Sequence, residues 1–221
     1  MKETKKSGIF GRLQRTPHWK AEEFTELQYQ PTSVKDLLTE MKDISELIID
    51  LAYSAVMFSN NDIAEEVKFL EVRMDKLNYD IRMTAMLAAR DKEDAEKLSG
   101  ILQVAEAAET ISNAAGDIAK LLSLKEKTSP MLPKLLSKAE EQLFRITVSE
   151  KSKACTQTLG AMKVETETGM RIIAIRRENC WIYNPQADTT LQAKDIIIVR
   201  GINEGYKELD KFLKGESEVL E

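Results

Sequence analysis

The fold of the second half of the chain is decided by the stretch Arg171-Ile-Ile-Ala-Ile-Arg-Arg-Glu-Asn-Cys-Trp-Ile-Tyr183. Its β-branched and aromatic residues predict two strands, over 171–177 and 181–183, with a turn at Glu178-Asn179 between them. Reading outward, we predict further strands over 144–148 and 195–201 and helices over 158–162 and 204–213. Together these elements indicate a small α+β domain over residues 143–215.

Apolar residues occupy both faces of two predicted strands, in Ile172-Ile-Ala-Ile175 and in Ile196-Ile-Ile-Val199. A sheet that is covered on one side only normally alternates apolar with polar residues. A domain of this size has few helices with which to cover a second face. We therefore expect a second copy to cover it, which predicts a homodimer.

The first half of the chain has a helical period instead. Apolar residues recur at steps of three and four over 33–58, 62–90 and 95–122. Ser33 and Asp62 are the expected N-caps of the first two helices. Long helices joined by short loops predict an antiparallel three-helix bundle over residues 31–125. The predicted fold class is multidomain, an α bundle followed by an α+β domain.

Three segments lie outside these two predicted domains. Residues 1–30 are basic at their start and predict a flexible tail. Residues 126–142 predict a linker that leads into a short helix over 134–142, and residues 216–221 form a C-terminal tail.

The composition fits a globular protein, because 43% of the 221 residues are hydrophobic and 31% are charged. The net charge of −5 argues against a nucleic-acid-binding protein, which usually has a basic domain. The longest apolar stretch, residues 48–58, is about half as long as a membrane-spanning helix requires. The start of the chain has no apolar signal core. We therefore expect a cytoplasmic protein that has no membrane span and is peripheral to the membrane only through a partner.

Few residues can carry catalysis. The only histidine is His18, and the two cysteines, Cys155 and Cys180, have no metal-binding spacing and are expected to be buried free thiols. No GxGxxG or GxxxxGK motif is present, so the usual backbone cradles for nucleotide phosphates are missing. Without a nucleophile and base pair, an enzyme is not expected.

Carboxylates recur at helical spacing in the first half. Glu71 and Asp75 lie one turn apart on the second predicted helix, and Glu109 and Asp117 lie on the third. Oxygen ligands of this kind suit a divalent metal ion. The alternative is that they form the solvated face of amphipathic helices. Gly116, inside the third helix, indicates close approach of another helix backbone.

The second half offers candidates for binding an anionic ligand. These residues are Ile173, Ile175, Arg176, Arg177, Asn184 and Pro185. Arginines at the end of a strand can bind an anion while isoleucines beside them pack against a base or ring. An ordinary solvated hairpin is the alternative explanation.

Three stretches resemble a known family. Residues 31–55, beginning Pro31-Thr-Ser-Val-Lys, resemble the opening of archaeal-type proteins that fuse a PhoU domain to a TrkA-C domain. The segment Ala108-Glu-Thr-Ile-Ser-Asn-Ala-Ala-Gly-Asp-Ile-Ala119 is similar to the E-R-I-G-D segment of PhoU proteins. Residues 172–201, with Asn184-Pro, Leu191 and Gly201, are similar to the TrkA-C (RCK-C) pattern.

This resemblance implies a regulatory subunit of potassium or other cation transport. TrkA-C domains of this kind dimerise, act on integral-membrane channels, uptake systems or antiporters, and some bind cyclic di-AMP at the dimer interface. PhoU domains imply the alternative, a metal-binding regulator of phosphate uptake. Glu71 and Asp75 match the PhoU metal motif, whereas the matching position on the third helix holds Asn113 beside Asp117. The chain has one of the usual two PhoU repeats, and a homodimer would supply the other.

Overall fold

The computed structural model describes residues 14–15, 33–123 and 138–220. They belong to two compact units, one formed by the helices of 33–123 and one built around the sheet of 138–220, which residues 14–15 join. The rest of the predicted tail, including His18, and most of the predicted linker lie outside the described residues. None of the helices within these ranges is long and apolar enough to cross a lipid bilayer.

The helical unit is the predicted three-helix bundle. Its helices are α1 (Val34–Met57), α2 (Asn61–Ala88) and α3 (Lys92–Lys120), and a 3₁₀ turn over Leu121–Ser123 follows. Each helix packs against both of the others. The largest fully buried side chains are Met41, Ile44, Ile48, Leu51, Ile63, Met74, Leu77 and Ile81, which recur at the predicted three- and four-residue steps.

Side-chain caps set where the helices begin. The Ser33 side chain accepts a hydrogen bond from the Asp36 amide at 3.1 Å, as predicted. The prediction of Asp62 as the cap of α2 is wrong, because the Asn60 side chain accepts from the amides of Asp62 and Ile63. Asp62 lies inside the first turn, where the positive end of the helix dipole stabilises its negative charge.

The second unit is a five-stranded antiparallel sheet with short helices. The elements are β1 (Gln14–Arg15), β2 (Gln142–Thr147), α4 (Leu159–Met162), α5 (Val164–Thr168), β3 (Arg171–Arg177), β4 (Cys180–Tyr183), β5 (Ile196–Gly201) and α6 (Asn203–Lys214). The strand order is β1-β4-β3-β5-β2. β3 has the predicted bounds. The short helix predicted over 134–142 does not extend through its last residues, because 138–141 form turns and bends and β2 begins at Gln142.

The two faces of the sheet differ more than the sequence pattern suggested. Ile175 pairs with Ile197 and Ile182, and this face joins the main apolar core of the unit. The register between β3 and β5 shifts between Ile172 and Ala174, so Ile173 is the extra residue of a bulge. The opposite face carries polar as well as apolar side chains, since Arg145 pairs with Ile198 and Arg176 with Trp181.

Several apolar side chains of this face are buried. Ile173 and Ile198 are each 1% exposed, and the rings of Trp181 and Tyr183 stack 5.8 Å apart. The strands are therefore buried on both faces, as their sequence pattern predicts. The homodimer itself stays a prediction.

The contact between α6 and the end of α5 leaves no room for a side chain at Gly205. A Cβ atom at this position would overlap the carbonyl oxygen of Thr168 and lie 3.2 Å from the Met170 side chain. We predict that Gly205→Ala lowers the free energy of unfolding of the sheet unit by about 2 kcal/mol, because backbone rather than a flexible side chain would have to move.

Lys207→Ala, at an exposed position of the same helix, is the matched control and should change stability by less than about 0.5 kcal/mol. Urea unfolding followed by hydrogen exchange of β3 and β5 peptides reports on this unit separately from the helices. Equal stability of the two variants would contradict the close approach.

Candidate functional site

A cleft of about 560 Å³ opens in the sheet unit beside the start of β3. Its lining residues are Leu159, Gly160, Lys163, Val164, Glu165, Thr166, Met170, Arg171, Ile172, Asn184, Pro185, Gln186 and Ala187. They come from three segments, which are α4 with α5, the first residues of β3, and the loop that follows β4. A cleft of this volume can hold a small organic ligand.

Backbone hydrogen bonds close one wall of the cleft. The amides of Leu159 and Gly160, at the start of α4, donate to the carbonyls of Thr189 and Ala187, both at 2.8 Å. The approach is close, since a Cβ atom at Gly160 would lie 3.0 Å from both the Ala187 oxygen and its Cβ. Glycine at this position therefore lets α4 pack onto the loop after β4.

The loop after β4 is held in a defined conformation. Asn184 has a left-handed backbone with φ 46°, and its amide donates to the Ile173 carbonyl at 2.9 Å. The Gln186 side-chain amide donates to the Asn184 carbonyl at 2.8 Å, and the Thr189 hydroxyl accepts from the Gln186 amide at 3.1 Å. Asparagine tolerates this backbone better than most residues do, which explains the choice of residue here.

The lining combines cations, one carboxylate and apolar surface. Lys163 is exposed and has a left-handed backbone with φ 48° at the junction of α4 and α5, and Arg171 is half-buried at the start of β3. Glu165 is the one acidic residue among the lining residues. Buried Val164 and Ile172 supply apolar surface. Cations beside apolar walls suit a ligand that has both phosphate groups and rings.

The structure brings two of the six predicted ligand-binding residues to this cleft, Asn184 and Pro185. Ile175 is fully buried in the core of the sheet unit, and Ile173 lies buried in the bulge. Arg176 is half-buried on the opposite face, where it pairs with Trp181. Lys163 and Arg171 line the cleft but were not among the predicted residues. Lys163 directly follows the helix predicted over 158–162, and Arg171 is the first residue of the strand predicted over 171–177.

Arg177 binds within the protein. Its Nε donates to Oδ1 of Asp195 at 3.0 Å, and its Nη2 donates at 2.7 Å both to Oδ2 of Asp195 and to the Thr190 carbonyl. Asp195 is 1% exposed and also accepts from the Gln192 amide at 2.8 Å. The hydrogen bond to Asp195 raises the pKa of Arg177 further above its usual value. This bidentate pair joins the end of β3 to the start of β5.

The predicted metal ligands are distributed along the seam between α2 and α3. The Glu71 carboxylate lies against Gly116, so a side chain rather than a helix backbone occupies the space that glycine leaves. Two turns earlier on α3, Glu109 accepts a hydrogen bond from the Asn78 side chain and lies 4.0 Å from Arg82.

Asp75 and Asp117, the other two predicted metal ligands, lie in different surroundings. Asp117 pairs with Lys120 at 2.9 Å, and partial burial raises the pKa of Asp75. Across residues 33–123 and 138–220, no group of three or more His, Cys, Asp or Glu side chains could hold a metal ion. Metal binding by Glu71, Asp75, Glu109 and Asp117 stays a prediction. Both cysteines are free thiols and are half-buried.

Comparison with protein-family models gives two matches. The PhoU domain matches residues 38–122, and the TrkA-C domain matches residues 143–214. The chain combines a PhoU domain with a TrkA-C domain. The order of the two domains confirms the resemblance found in the sequence, and the cleft lies inside the TrkA-C domain. The families found are regulatory or ligand-binding domains and not enzymes.

Solved structures show partial likeness to the chain. The RCK_C domain dimer of S. agalactiae BusR in complex with c-di-AMP is 25% identical, covers 35% of this chain and 95% of its own, and has a TM-score of 0.33. The GsuK RCK domain is 22% identical over 50% of this chain and 24% of its own, with a TM-score of 0.30. S. agalactiae BusR in complex with its busAB-promotor DNA is 17% identical, covers 78% of this chain and 96% of its own, and has a TM-score of 0.33. No curated protein matches the chain.

The Arg177–Asp195 pair of the TrkA-C domain predicts a mutational signature. Arg177→Ala should lower the free energy of unfolding of this domain by about 3 kcal/mol, because it leaves the buried Asp195 carboxylate without its cation. Asp195→Asn should also lower the free energy of unfolding of this domain. A double-mutant cycle of the two substitutions should give a coupling energy between Arg177 and Asp195 above about 1 kcal/mol.

Arg176→Ala is the matched control on the neighbouring residue of the same strand. We expect it to cost less than Arg177→Ala, because Arg176 is not part of the clamp on Asp195. Chemical denaturation of the four variants measures both quantities. Additive effects of the Arg177 and Asp195 substitutions would show that the pair does not stabilise the domain as a unit.

Proposed function

We propose that this chain is a regulatory subunit of potassium or other cation transport that binds an anionic nucleotide, with cyclic di-AMP as the first candidate, in the cleft of its TrkA-C domain. The observation that carries the proposal is the lining of that cleft, where Lys163 and Arg171 stand beside Ile172, Asn184 and Pro185. The family resemblance supports the class of ligand, and the geometry supports the place.

Each part of such a ligand has a matching group in the cleft. Phosphate oxygens accept charge-assisted hydrogen bonds from a lysine ammonium or an arginine guanidinium. An adenine ring can pack against apolar surface of the kind that Ile172 and Pro185 provide. The side-chain amides of Asn184 and Gln186 offer both donors and acceptors for the edge of a base.

Regulation requires that the ligand favour one arrangement of the protein over another. The cleft is formed by residues of two stretches, 159–172 and 184–187, so a bound ligand contacts α4, α5, β3 and the loop after β4 together. A ligand that binds one arrangement more tightly shifts the population towards it. In the proposed function, that shift changes the contact with an integral-membrane channel, uptake system or antiporter, with the chain acting as a homodimer in the cytoplasm.

Lys163→Asn tests the cleft directly. Asparagine accepts the left-handed backbone of this position, so the substitution removes the charge with little strain. We expect it to weaken binding of cyclic di-AMP by about tenfold or more, because a hydrogen bond to a charged group contributes about 1.5–3 kcal/mol. Isothermal titration calorimetry of the full chain with cyclic di-AMP, ATP, AMP and Mn²⁺ makes the measurement.

Lys194→Asn is a matched control, because Lys194 also has a left-handed backbone, with φ 72°, and its ammonium pairs with Glu150 at the surface, away from the lining of the cleft. Its affinity for the nucleotide should stay within about twofold of the unsubstituted chain. Equal losses in the two variants would argue for nonspecific attraction of an anion. Binding of Mn²⁺ without any nucleotide would favour the alternative function, a metal-binding regulator of phosphate uptake.

The link to transport needs its own measurement. Potassium uptake in cells that lack the chain should be restored by the unsubstituted protein and by Lys194→Asn. Lys163→Asn should restore uptake that no longer responds to the cellular level of the nucleotide. Uptake that is unaffected by loss of the chain would contradict a role in potassium transport.

A further inference from the structure

α3 carries an apolar stripe that packing within the chain leaves largely exposed, with only its last member, Ile118, half-buried. Its core-facing residues are Ala105, Ala108, Ser112, Ala115, Gly116 and Ala119. A second set, here called the α3 stripe, consists of Gly100, Val104, Ala107, Ile111, Ala114 and Ile118. Val104 is 59% exposed and Ile111 39% exposed, although both are β-branched apolar residues.

The spacing of the α3 stripe is that of a coiled-coil seam. Its members follow one another at alternating steps of four and three residues, which is the pattern by which one helix packs along another. The members also alternate in size. Val104, Ile111 and Ile118 are large, and each is separated from the next by one small residue.

This alternation is self-complementary when two copies of α3 run antiparallel. A two-fold axis at the level of residue 109 places Ile111 opposite Ala107 of the second copy, Val104 opposite Ala114, and Ile118 opposite Gly100. Every large side chain then faces a small one, so the helices can approach evenly along the whole stripe. A parallel pair would instead place large against large and small against small, which leaves gaps at the small positions.

Charges at the ends of the stripe favour the same direction. Lys97 continues the stripe by one position at its N-terminal end and pairs with Glu93 of its own helix. Asp117 flanks the C-terminal end and pairs with Lys120. Both pairs are exposed and therefore weak, so either ion can exchange its partner for a charge of the second copy. In the antiparallel register, Lys97 of one copy lies within about one turn of Asp117 of the other. In a parallel pair the two residues would be about 30 Å apart along the axis. Antiparallel helix dipoles add a further favourable contribution.

We propose that the α3 stripe is an interface through which a second copy of this chain packs, antiparallel and centred on residue 109. The two helices touch along about 27 Å, and such a contact buries less than the about 1,200 Å² of a standard interface. The pairing is therefore weak and depends on concentration. It rests on the PhoU domain alone and does not require the ligand cleft.

Distances between copies test the register. Glu96, Gln103 and Thr110 are exposed and seven residues apart, so they lie on the same side of α3. Each is replaced in turn by a spin-labelled cysteine in the full chain, with Cys155 and Cys180 changed to alanine. In the proposed register the separation along the axis is about 3 Å at residue 110, about 18 Å at 103 and about 39 Å at 96. Pulsed electron paramagnetic resonance at increasing protein concentration measures the series.

A distance that is shortest at residue 110 and increases towards residue 96 supports the proposal. Equal distances at the three positions would show a parallel pair, and the absence of a short distance at any of them would show that α3 does not mediate pairing. Either result overturns the proposal, whatever the calorimetry of the ligand gives.

Ile111→Asp should weaken the association by at least about tenfold in sedimentation equilibrium, because it places a charge at the centre of the seam. Leu87→Asp is the matched control, since Leu87 is an equally apolar residue of α2, 67% exposed and outside the stripe. If the TrkA-C domain keeps two copies together, Ile111→Asp should still abolish the short distance at residue 110. Retention of that distance would overturn the proposal.

Discussion

The buried ion pair between Arg177 and Asp195 holds together the part of the molecule on which the cleft depends. Arg177 joins the end of β3 to the start of β5 and also donates to the Thr190 carbonyl. Thr190 forms a bridge with Thr158, which caps α4, and the next two amides of α4 donate to the loop after β4. Because a charge that is 1% exposed is costly to leave without its partner, this arrangement of strand, loop and helix is strongly determined.

The same pair gives an arginine at the end of a strand a structural role that the sequence does not show. From the sequence, Arg177 has the features of an anion-binding residue, since it is a cation next to apolar positions. In the structure three of its hydrogen bonds go to Asp195 and Thr190, and the cations that line the cleft are Lys163 and Arg171. A guanidinium binds an internal carboxylate as well as it binds a ligand, and only the position of Asp195 distinguishes the two.

In the PhoU domain the acidic side chains between two helices contact other side chains of the same domain. α2 and α3 meet along a seam where Glu71 fills the space beside Gly116 and Glu109 contacts Asn78 and Arg82. These contacts distribute the carboxylates along the helices. On the side of α3 turned away from this seam, Val104 and Ile111 are apolar and exposed, so the helix has one face for its own bundle and an apolar surface outside it.

Much of the fold could be predicted because it follows from local patterns. Helical steps of three and four residues, the Ser33 cap and the β-branched run of β3 are each visible within a few neighbouring residues. The cap at Asn60 was missed because two adjacent polar residues could both cap, and the geometry of the turn decided between them. Asn184 and Pro185, which line the cleft, were proposed as binding residues because they follow a predicted strand. Lys163 and Arg171 were missed because nothing in the sequence shows that the junction of two short helices lies beside the start of β3.

The sequence by itself determined the class of each domain, their order and the absence of the usual nucleotide-binding motifs, because these depend on periodicity and composition. The tertiary structure alone decided which charges line the cleft and which are neutralised inside the protein. Those properties depend on pairs such as Arg177 with Asp195, or Gly160 with Ala187, that are far apart in the chain. A one-dimensional pattern carries no information about the distance between such residues, and that distance decides what each charge does.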